Sequence, residues 1–431
     1  MPVSVAIVGS GPAGVYTADA LVASGADISV DIIERLPSPF GLIRAGVAPD
    51  HQTTKNITKK YAKTLDNEKV RYFGNVEVGR DISLAALREI YDAVVLAIGA
   101  PLDRNPGIPG QDKAGVYGSA DFVGWYNGHP DFIDLGPDLN VAAAAVIGIG
   151  NVAIDVARLL VRTKKELAEA DIPDYAEDAI LKSAIKDVHI FGRRGPVEAK
   201  FTNVELREMG DLENAELAID TDHIPADAGD LPDRDKRLKE RNLETLRQYS
   251  EMPRGDKPKT VHFGFYASPV EILGGEKVEG IRLERTAVEN GKAIGSGEFF
   301  EINCGLVVTA TGYRSGALEG APFDEKQGIV PNDDGRVDDG LYAVGWVKRG
   351  PSGVISSNRP DGKTVAGHIL ADVHGKKPGR GAFKKHLQDN NVRFVSLEEW
   401  KKIDAAEISN AQGSHPRKKF ITVQEMLDAL N

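Results

Sequence analysis

The 431-residue sequence contains a single cysteine, Cys304. One thiol cannot form an intramolecular disulfide, and it excludes a redox centre built from two protein thiols. Because Cys304 adjoins an apolar strand-like segment, we expect a buried and unreactive thiol. A chain with so little cysteine suits a reducing compartment, and we expect a cytoplasmic location.

Long apolar runs are also missing, and acidic residues outnumber basic ones. No segment approaches the roughly 20 apolar residues that span a membrane, and the first strand pattern begins at Val3, which leaves no room for a signal peptide. The 53 basic and 64 acidic side chains give a net charge of −11, which argues against general nucleic-acid binding. We therefore expect about two domains, with no membrane and no nucleic-acid partner.

A glycine-rich segment organises the start of the chain. VSVAIVGSGPAG, residues 3–14, predicts a strand buried on both faces, then a G-x-G-x-x-G turn and a helix. Gly9 permits the tight turn, Gly11 lets the backbone approach a pyrophosphate, and Gly14 lets the helix pack on its strand. This arrangement is typical of dinucleotide binding.

The next predicted strand, Ile28–Ile33, ends at Glu34, which lies 20 residues after Gly14. An acid at this position can accept hydrogen bonds from ribose hydroxyls, and it would repel a 2′-phosphate. The first unit therefore predicts a nucleotide that carries no 2′-phosphate.

The opening pattern recurs about 140 residues later, in AAAAVIGIGNVA, residues 142–153. Its turn consists of Gly148, Ile149, Gly150, Asn151, Val152 and Ala153. The strand that follows ends in Arg193 and Arg194 rather than in an acid, and two arginines can bind a 2′-phosphate through charge-assisted hydrogen bonds. Two fingerprints predict two bound nucleotides, and the second favours NADP over NAD.

Three further groups are ambiguous from the residues alone. His51 ends a loop rich in proline and glycine, residues 35–51, and precedes a predicted helix, residues 52–65. Glu205 and Glu208 are near neighbours on a predicted helix, residues 201–210. On this evidence all three are compatible with ordinary surface side chains.

Several long segments together resemble the adrenodoxin-reductase type of ferredoxin–NADP reductase, over nearly the whole chain. They are residues 7–14, 39–51, 121–130, 150–160, 191–195 and 345–355. The resemblance implies an α/β fold with two Rossmann-like dinucleotide-binding domains, the NADP domain being inserted in a split FAD domain. It places the FAD domain at residues 1–105 and 326–431, the latter with a C-terminal appendage, and the NADP domain at residues 106–325.

The resemblance also implies site residues. Together with the first fingerprint, it assigns FAD to Gly9, Gly11, Ala13, Gly14, Glu34, Leu42, Val78, Trp346, Gly353, Val354 and Ile355. Together with the second, it assigns NADP to Arg104, Gly148, Ile149, Gly150, Asn151, Val152, Arg193, Arg194 and Glu205. It places His51 and Glu208 beside the nicotinamide and flavin, as the catalytic residues, and it implies no metal.

The implied enzyme takes a hydride from NADPH onto N5 of FAD and passes single electrons to a ferredoxin-type iron–sulfur protein. Alternatives are a flavin monooxygenase and a non-catalytic or channel subunit of a larger flavoprotein complex; a thiol–disulfide flavoreductase would need more than one cysteine.

A helix predicted over residues 231–250 is the candidate docking site for the ferredoxin. Arg234, Arg237 and Arg241 share one face of it, with Leu238, Leu246 and Tyr249 as expected anchors. The alternative is a solvated helix whose charges pair among themselves.

Overall fold

The structure, a computed structural model, describes residues 2–253 and 255–431. The chain divides into two compact units. The first comprises Met1–Leu102, Asn127–Asp131 and Tyr313–Asn431, and the second comprises Asp103–Tyr126 and Phe132–Gly312. Among the described residues, no helix has both the length and the apolar character needed to cross a membrane.

The N-terminal part of the first unit alternates strands and helices. In chain order its elements are β1 (Val3–Val8), α1 (Pro12–Ala23), β2 (Ile28–Ile33), α2 (Leu42–Ala45), α3 (Gln52–Lys55), α4 (Thr58–Leu65), β3 (Val70–Phe73), α5 (Leu84–Ile90), β4 (Ala93–Leu96) and β5 (Leu102–Asp103).

The elements from residue 116 to residue 309 follow. They are β6 (Val116–Gly118), α6 (Ser119–Asn127), β7 (Ala143–Ile147), α7 (Asn151–Val161), α8 (Lys164–Leu167), α9 (Asp174–Leu181), β8 (Asp187–Phe191), α10 (Asn203–Glu208), β9 (Ala215–Ile219), α11 (Asp233–Ser250), β10 (Lys259–Gly264), β11 (Ala267–Leu273), β12 (Gly280–Glu289), β13 (Lys292–Asn303) and β14 (Leu306–Thr309).

The chain then completes the first unit. Its last elements are β15 (Tyr313–Arg314), β16 (Arg336–Asp338), β17 (Leu341–Ala343), α12 (Trp346–Arg349), α13 (Asn358–Asp372), α14 (Arg380–Asp389), α15 (Leu397–Ser409) and α16 (Val423–Asp428).

Each unit contains a six-stranded sheet, and the strand before the fingerprint lies in the interior of that sheet. In the first unit the strand order is β16-β17-β4-β1-β2-β3, and β1 is parallel to both of its neighbours. In the second unit the order is β6-β14-β7-β8-β10-β9, and β7 is likewise parallel to β8 and β14. Both turns therefore lie at the carboxyl end of a central strand where strand order reverses, which is where open α/β sheets bind ligands.

The core explains why β1 is apolar except at Ser4, which is buried with its hydroxyl donating to Asp92 Oδ2 at 2.7 Å. Val5 and Ile7 belong to one buried cluster, and Ala6 and Val8 belong to another, so side chains pack on both faces of the sheet. Residues on alternate positions of a strand face opposite sides, so a strand covered on both sides has no polar face. The predicted doubly covered strand is confirmed.

Several local predictions are wrong. Val78, one of the residues assigned to FAD, lies outside any strand and makes an isolated bridge to Ile82. The helix expected over residues 52–65 is interrupted between α3 and α4. The last 50 residues are not peripheral, because Trp400 and Ile403 of α15 and Met426 of α16 are buried in the same cluster as Val5. The many charged residues of this segment suggested a surface position, although its helices carry one apolar face.

Candidate functional site

The first fingerprint turn combines two crowded glycines with one open glycine. Gly9 has a φ of +109°, and a β-carbon built on it would lie 2.4 Å from the carbonyl oxygen of Ala97. A β-carbon on Gly14 would lie 2.1 Å from the carbonyl oxygen of Gly9. On Gly11, in contrast, it meets no heavy atom within 4 Å. The fold requires Gly9 and Gly14, whereas Gly11 leaves open space at the N-terminus of α1, where the backbone N–H groups suit a phosphate.

Glu34 follows β2, and its carboxylate is held at this turn. Oε2 accepts hydrogen bonds from the N–H of Ser10 at 3.0 Å and from its hydroxyl at 2.6 Å. Oε1 accepts one from the N–H of Leu36 at 3.2 Å. Ser10 is fully buried, so the core fixes the orientation of the carboxylate. Ser10 was not identified from the sequence, although its position between Gly9 and Gly11 of the fingerprint could have indicated a role at this turn.

The loop after Glu34 returns to the turn. Phe40 has a φ of +85°, which is rare for a residue with a side chain. A β-carbon built on Gly41 would lie 3.1 Å from the Cα of Gly11, and the next residue, Leu42, is 41% exposed. Strained backbone of this kind clusters at ligand sites. The loop therefore presents an exposed apolar side chain close to the open glycine.

A buried ion pair ties this loop to the C-terminal helices. Arg44 of α2 pairs with the fully buried carboxylate of Glu407 on α15, which also pairs with Arg417 at 3.1 Å. The Arg44 guanidinium lies 5.3 Å from the ring centroid of Trp400. Burial acts to raise the pKa of Glu407, but the two arginines and the N–H of Phe420 outweigh it, so the pKa lies below its ordinary value.

Asp361 holds the loop that follows β17. α13 begins at Asn358, and Asp361 lies in its first turn. Its carboxylate accepts a hydrogen bond from the N–H of Gly345 at 2.7 Å and pairs with Lys348 and Arg349, both at 2.7 Å. Asp361 therefore joins α13 to the loop.

This loop carries several predicted flavin contacts. A β-carbon built on Gly345 would lie 2.5 Å from the Cβ of Ala13, so the loop passes directly against α1. Trp346 follows, and its indole N–H donates to the carbonyl of Ser352 at 3.2 Å. Val354 is 56% exposed. The structure thus brings Ala13 and the start of this loop together, with a large apolar side chain exposed further along it.

The remaining flavin candidates have ordinary local roles in the chain. Gly353 has a φ of +83°, and a β-carbon there would lie 2.5 Å from the hydroxyl of Ser357. Ile355 begins a short 3-10 helix, Ile355–Ser357. Val78 is half-buried against the core cluster of Val8.

The second fingerprint turn repeats the first. Gly148 has a φ of +140°, and a β-carbon on it would lie 2.2 Å from the carbonyl oxygen of Ala310. A β-carbon on Gly150 meets no heavy atom within 4 Å. Ala153, at the third fingerprint position, is fully buried. The same division between crowded and open glycines leaves space at the N-terminus of α7.

This turn is attached to the segments on either side of it. The side chain of Ile149 would lie 2.6 Å from a β-carbon built on Gly192, which follows β8. The N–H of Lys200 donates to the Ile149 carbonyl, and the N–H of Thr202 to Asn151 Oδ1, each at 2.8 Å. The turn is therefore held against the end of β8 and the start of α10.

Arg193 and Arg194 follow Gly192 at this end of β8. Arg193 is exposed, and Arg194 is half-buried with Nη1 donating to the carbonyl of Gly291 at 3.2 Å. Over residues 2–253 and 255–431, the guanidinium of Arg193 makes no hydrogen bond or ion pair; its carbonyl accepts the hydroxyl of Thr286 at 2.8 Å. Arg193 therefore retains its full donor capacity for an anion.

Arg104 is positioned through its backbone. Its N–H donates to the carbonyl of Gly312 at 2.9 Å, and its carbonyl accepts the hydroxyl of Thr311 at 3.2 Å. Both partners follow β14, the neighbour of β7 in the sheet.

A buried arginine stands behind the two glutamates of α10. Arg158 on α7 is fully buried and pairs with Asp155 at 2.8 Å, Glu208 at 3.3 Å and Glu205 at 3.6 Å. The structure thus unites Glu205 and Glu208 around one cation. Sequence reasoning missed Arg158, although a charged residue in the otherwise apolar run Val156–Val161 is a visible signal.

His51 and Cys304 complete the candidates. His51 is half-buried and precedes α3, with its N–H donating to the carbonyl of Ala48 at 3.0 Å. Cys304 is buried, and burial raises the pKa of its thiol to about 12. The predicted burial of the thiol is confirmed, and a buried thiol with a raised pKa has little of the reactive thiolate form.

α11 presents its three arginines to solvent. Arg234, Arg237 and Arg241 are all exposed, and none forms an ion pair with another described residue. Leu246 and Tyr249 are buried as expected, but Leu238 is 50% exposed, so that anchor was predicted wrongly. The reason is that the buried positions of α11 begin at residue 242, and its first half lies outside the core.

Comparisons with known proteins agree with these features. Residues 3–194 match the family model described as pyridine nucleotide-disulphide oxidoreductase. The chain is 40% identical to NADPH:adrenodoxin oxidoreductase, mitochondrial, of Arabidopsis thaliana, over 99% of this chain and 95% of the relative. It is 39% identical to NADPH-ferredoxin reductase FprA of Mycobacterium tuberculosis, over 99% and 98% respectively.

A solved structure is similar over the whole chain. Mycobacterium tuberculosis FprA in complex with NADPH superposes with a TM-score of 0.94 at 38% identity, with 100% of both chains covered. These findings confirm the predicted α/β fold class, the enzyme class and the cofactor pair of FAD and NADP. The chain belongs to the family of NADPH–ferredoxin and NADPH–adrenodoxin reductases, and it is an oxidoreductase.

Proposed function

We propose that this chain transfers electrons from NADPH through FAD to a ferredoxin-type iron–sulfur protein. The observation that carries the proposal is the pair of fingerprint turns. Each leaves open space at its second glycine, but one is followed by an oriented carboxylate, Glu34, and the other by two arginines, Arg193 and Arg194. Two different nucleotides are the ligands that this difference favours.

FAD is proposed for the first unit, with the FAD domain formed by residues 1–105 and 326–431. The space at Gly11 admits a pyrophosphate, and the carboxylate of Glu34 can accept hydrogen bonds from ribose hydroxyls. Exposed Leu42 and Val354 are apolar surfaces that a flat ring system can cover. The other proposed contacts are Gly9, Ala13, Gly14, Val78, Trp346, Gly353 and Ile355.

NADP is proposed for the second unit, with its domain at residues 106–325. Gly150 offers space for the pyrophosphate, and the donors of Arg193 and Arg194 suit the 2′-phosphate. The other proposed contacts are Arg104, Gly148, Ile149, Asn151, Val152 and Glu205.

Bound at the first turn, FAD would supply a hydride acceptor, N5, for NADPH and a source of single electrons for the iron–sulfur protein. His51 and Glu208 need not remove a proton in that transfer, and we assign them to orienting the carboxamide and adjusting local charge. Arg158 is proposed as the positioning residue for Glu208, because its guanidinium fixes that carboxylate from behind. The protein contributes alignment and exclusion of water, which are large factors in such reactions.

The ferredoxin-type partner is proposed to dock on α11. Ferredoxins of this kind are acidic, and a chain of net charge −11 can attract one only through a local field. α11 carries six basic and four acidic residues, a net charge of +2. Its buried half is joined to α10, since the Tyr249 hydroxyl donates to the carbonyl of Arg207 at 2.9 Å. The docking helix therefore adjoins the helix that carries Glu205 and Glu208.

We also propose a cytoplasmic location, supported by the single buried cysteine. The relatives from Arabidopsis thaliana and Bos taurus are named mitochondrial, so the alternative is an organelle. Fractionation of the source cells with an antibody to this chain separates the two.

Anaerobic stopped-flow spectroscopy tests the electron-transfer function. Purified protein mixed with NADPH should lose its flavin absorption, and a ferredoxin from the same cell should restore it while becoming reduced. Rapid NADPH oxidation in air without a ferredoxin, coupled to oxygenation of an added substrate, would favour a monooxygenase. Stable copurification with a large partner, without reduction of any ferredoxin, would favour a channel subunit.

A further inference from the structure

A cluster of metal-binding side chains lies in the second unit on the face of its sheet. Asp187, His189 and His262 each offer one donor atom, and these atoms all lie within 4.8 Å of one another. We propose that these three residues form a binding site for a divalent transition-metal ion of the zinc type.

Sheet register explains why the three side chains converge. Asp187 and His189 are two residues apart on β8 and so face the same side of the sheet. His262 on β10 is paired in register with His189, and parallel strands are about 4.8 Å apart. On the other side of β8, the residues in register with Asp187 and His189 are Ala143 and Ala145, which carry no competing polar group.

The side chains are already partly organised. The rings of His189 and His262 are stacked with centroids 4.3 Å apart and an angle of 12° between their planes. His262 Nε2 lies 2.8 Å from Asp187 Oδ1. Donor atoms about 2.1 Å from a tetrahedral ion would lie roughly 3.4 Å apart. Binding of one ion by both imidazoles requires the two stacked rings to rotate so that their planes converge, and the partial exposure of His262 and Asp187, 34% and 45%, permits such rotations.

The donor set selects the metal. Two imidazole nitrogens and one carboxylate oxygen suit Zn²⁺, Ni²⁺ and Cu²⁺, whereas Mg²⁺ and Ca²⁺ prefer oxygen donors alone. Three protein ligands leave a coordination position for water. Asp187 is the first residue of β8, about 13 Å along the strand from Phe191, and His189 is about 7 Å from Phe191. The His189 ring stacks on the Phe191 ring with centroids 5.9 Å apart. The cluster thus lies toward the amino end of β8, whereas the nucleotide turn follows the carboxyl end of β7.

Calorimetric titration of the purified flavoprotein with Zn²⁺ tests the site. We expect Zn²⁺ to bind the wild-type protein and to bind His262→Gln at least tenfold more weakly. Loss of a residue that only supports a metal ligand already lowers metal affinity about 10- to 100-fold, and His262 is proposed as a ligand itself. His374→Gln, at an exposed histidine outside the cluster, is the matched control and should bind Zn²⁺ like the wild type. Mg²⁺ should not compete. Absence of Zn²⁺ binding, or equal weakening in both variants, would overturn the proposal.

A second measurement needs no variant. Zn²⁺ should protect His189 and His262 of the wild-type protein from modification by diethyl pyrocarbonate, with His374 left reactive, as read by peptide mass spectrometry. Co²⁺ should produce visible absorption beyond the flavin bands. Unchanged modification of His189 and His262 in the presence of Zn²⁺ would overturn the proposal even if His262→Gln failed to fold.

Discussion

Replacing Arg193 and Arg194 together by alanine should turn the enzyme from NADPH-selective into one that accepts NADPH and NADH alike. Arg193 has no competing partner among the described residues, and Arg194 gives one N–H to Gly291. A charged hydrogen bond contributes ~1.5–3 kcal/mol. Arg193 is exposed and Arg194 is only half-buried, so solvent screening places both contacts near the lower limit. Two such contacts give about 3 kcal/mol, or roughly a hundredfold in affinity.

Steady-state kcat/KM for the two nucleotides measures this directly, with ferricyanide as acceptor. The value for NADPH should fall about a hundredfold while that for NADH changes less than about threefold. Lys186→Ala, an exposed basic residue beside the other end of β8, is the matched control and should change neither. An equal loss for both nucleotides would refute the reasoning, because it would mean that the arginines support the fold rather than the phosphate.

Three further outcomes are expected. Gly11→Leu should fold, because its side chain enters open space, but it should be colourless, because that space is the proposed site of the FAD pyrophosphate. Gly9→Leu should not fold, because its side chain would collide with the backbone of Ala97. Yellow Gly11→Leu protein would exclude the proposed phosphate position. His51→Ala and Glu208→Ala should retain FAD and slow its reduction by NADPH in stopped flow, and unchanged rates in both would make them surface residues. The pKa of the Glu407 carboxyl is lowered in the folded protein. Its contribution to stability is therefore complete above pH 4.5, the ordinary pKa, and is lost as the pH falls through the folded pKa. Glu407→Gln should remove this acid dependence from thermal unfolding and lower the free energy of unfolding by about 3–5 kcal/mol, because two arginines lose a buried partner.

The elements whose bounds were best predicted from the sequence are the strands that are buried on both faces. β1 and β2 have the predicted bounds because they are buried on both faces and end at glycine or an acid. α3 and α4 were predicted as one helix because the charged and apolar spacing continues through residues 56 and 57, where the structure shows turn. Local patterns cannot reveal an interruption that depends on packing elsewhere.

The candidate site divides in the same way. Fingerprint glycines have a conformational signature, so Gly9 and Gly148 could be identified from spacing alone. The pairings of Arg158 with Glu208 and of Asp361 with Lys348 could not be identified, because the partners lie on different helices and no sequence pattern joins them. Long-range pairing of charges, unlike backbone geometry, leaves no periodic trace in one sequence.

The docking proposal makes the last prediction. Changing Arg234, Arg237 and Arg241 to glutamate alters six units of charge on the exposed half of α11, while Leu246 and Tyr249 keep the other half buried. Electron delivery to ferredoxin should therefore slow by about tenfold or more at low salt, where steering contributes most. The difference from wild type should shrink as salt rises, since the Debye length falls from about 10 Å at 0.1 M to about 3 Å at 1 M.

Two controls separate a local field from net charge and from damage to the active site. Reversing Lys164, Lys165 and Lys182, three exposed lysines of the same unit, changes the net charge equally and should leave ferredoxin reduction nearly intact. NADPH reduction of a small uncharged acceptor should be the same in both triple variants and the wild type. If the arginine variant keeps the wild-type rate and salt dependence, α11 is a solvated surface, and if the lysine variant slows as much, net charge rather than this helix governs association.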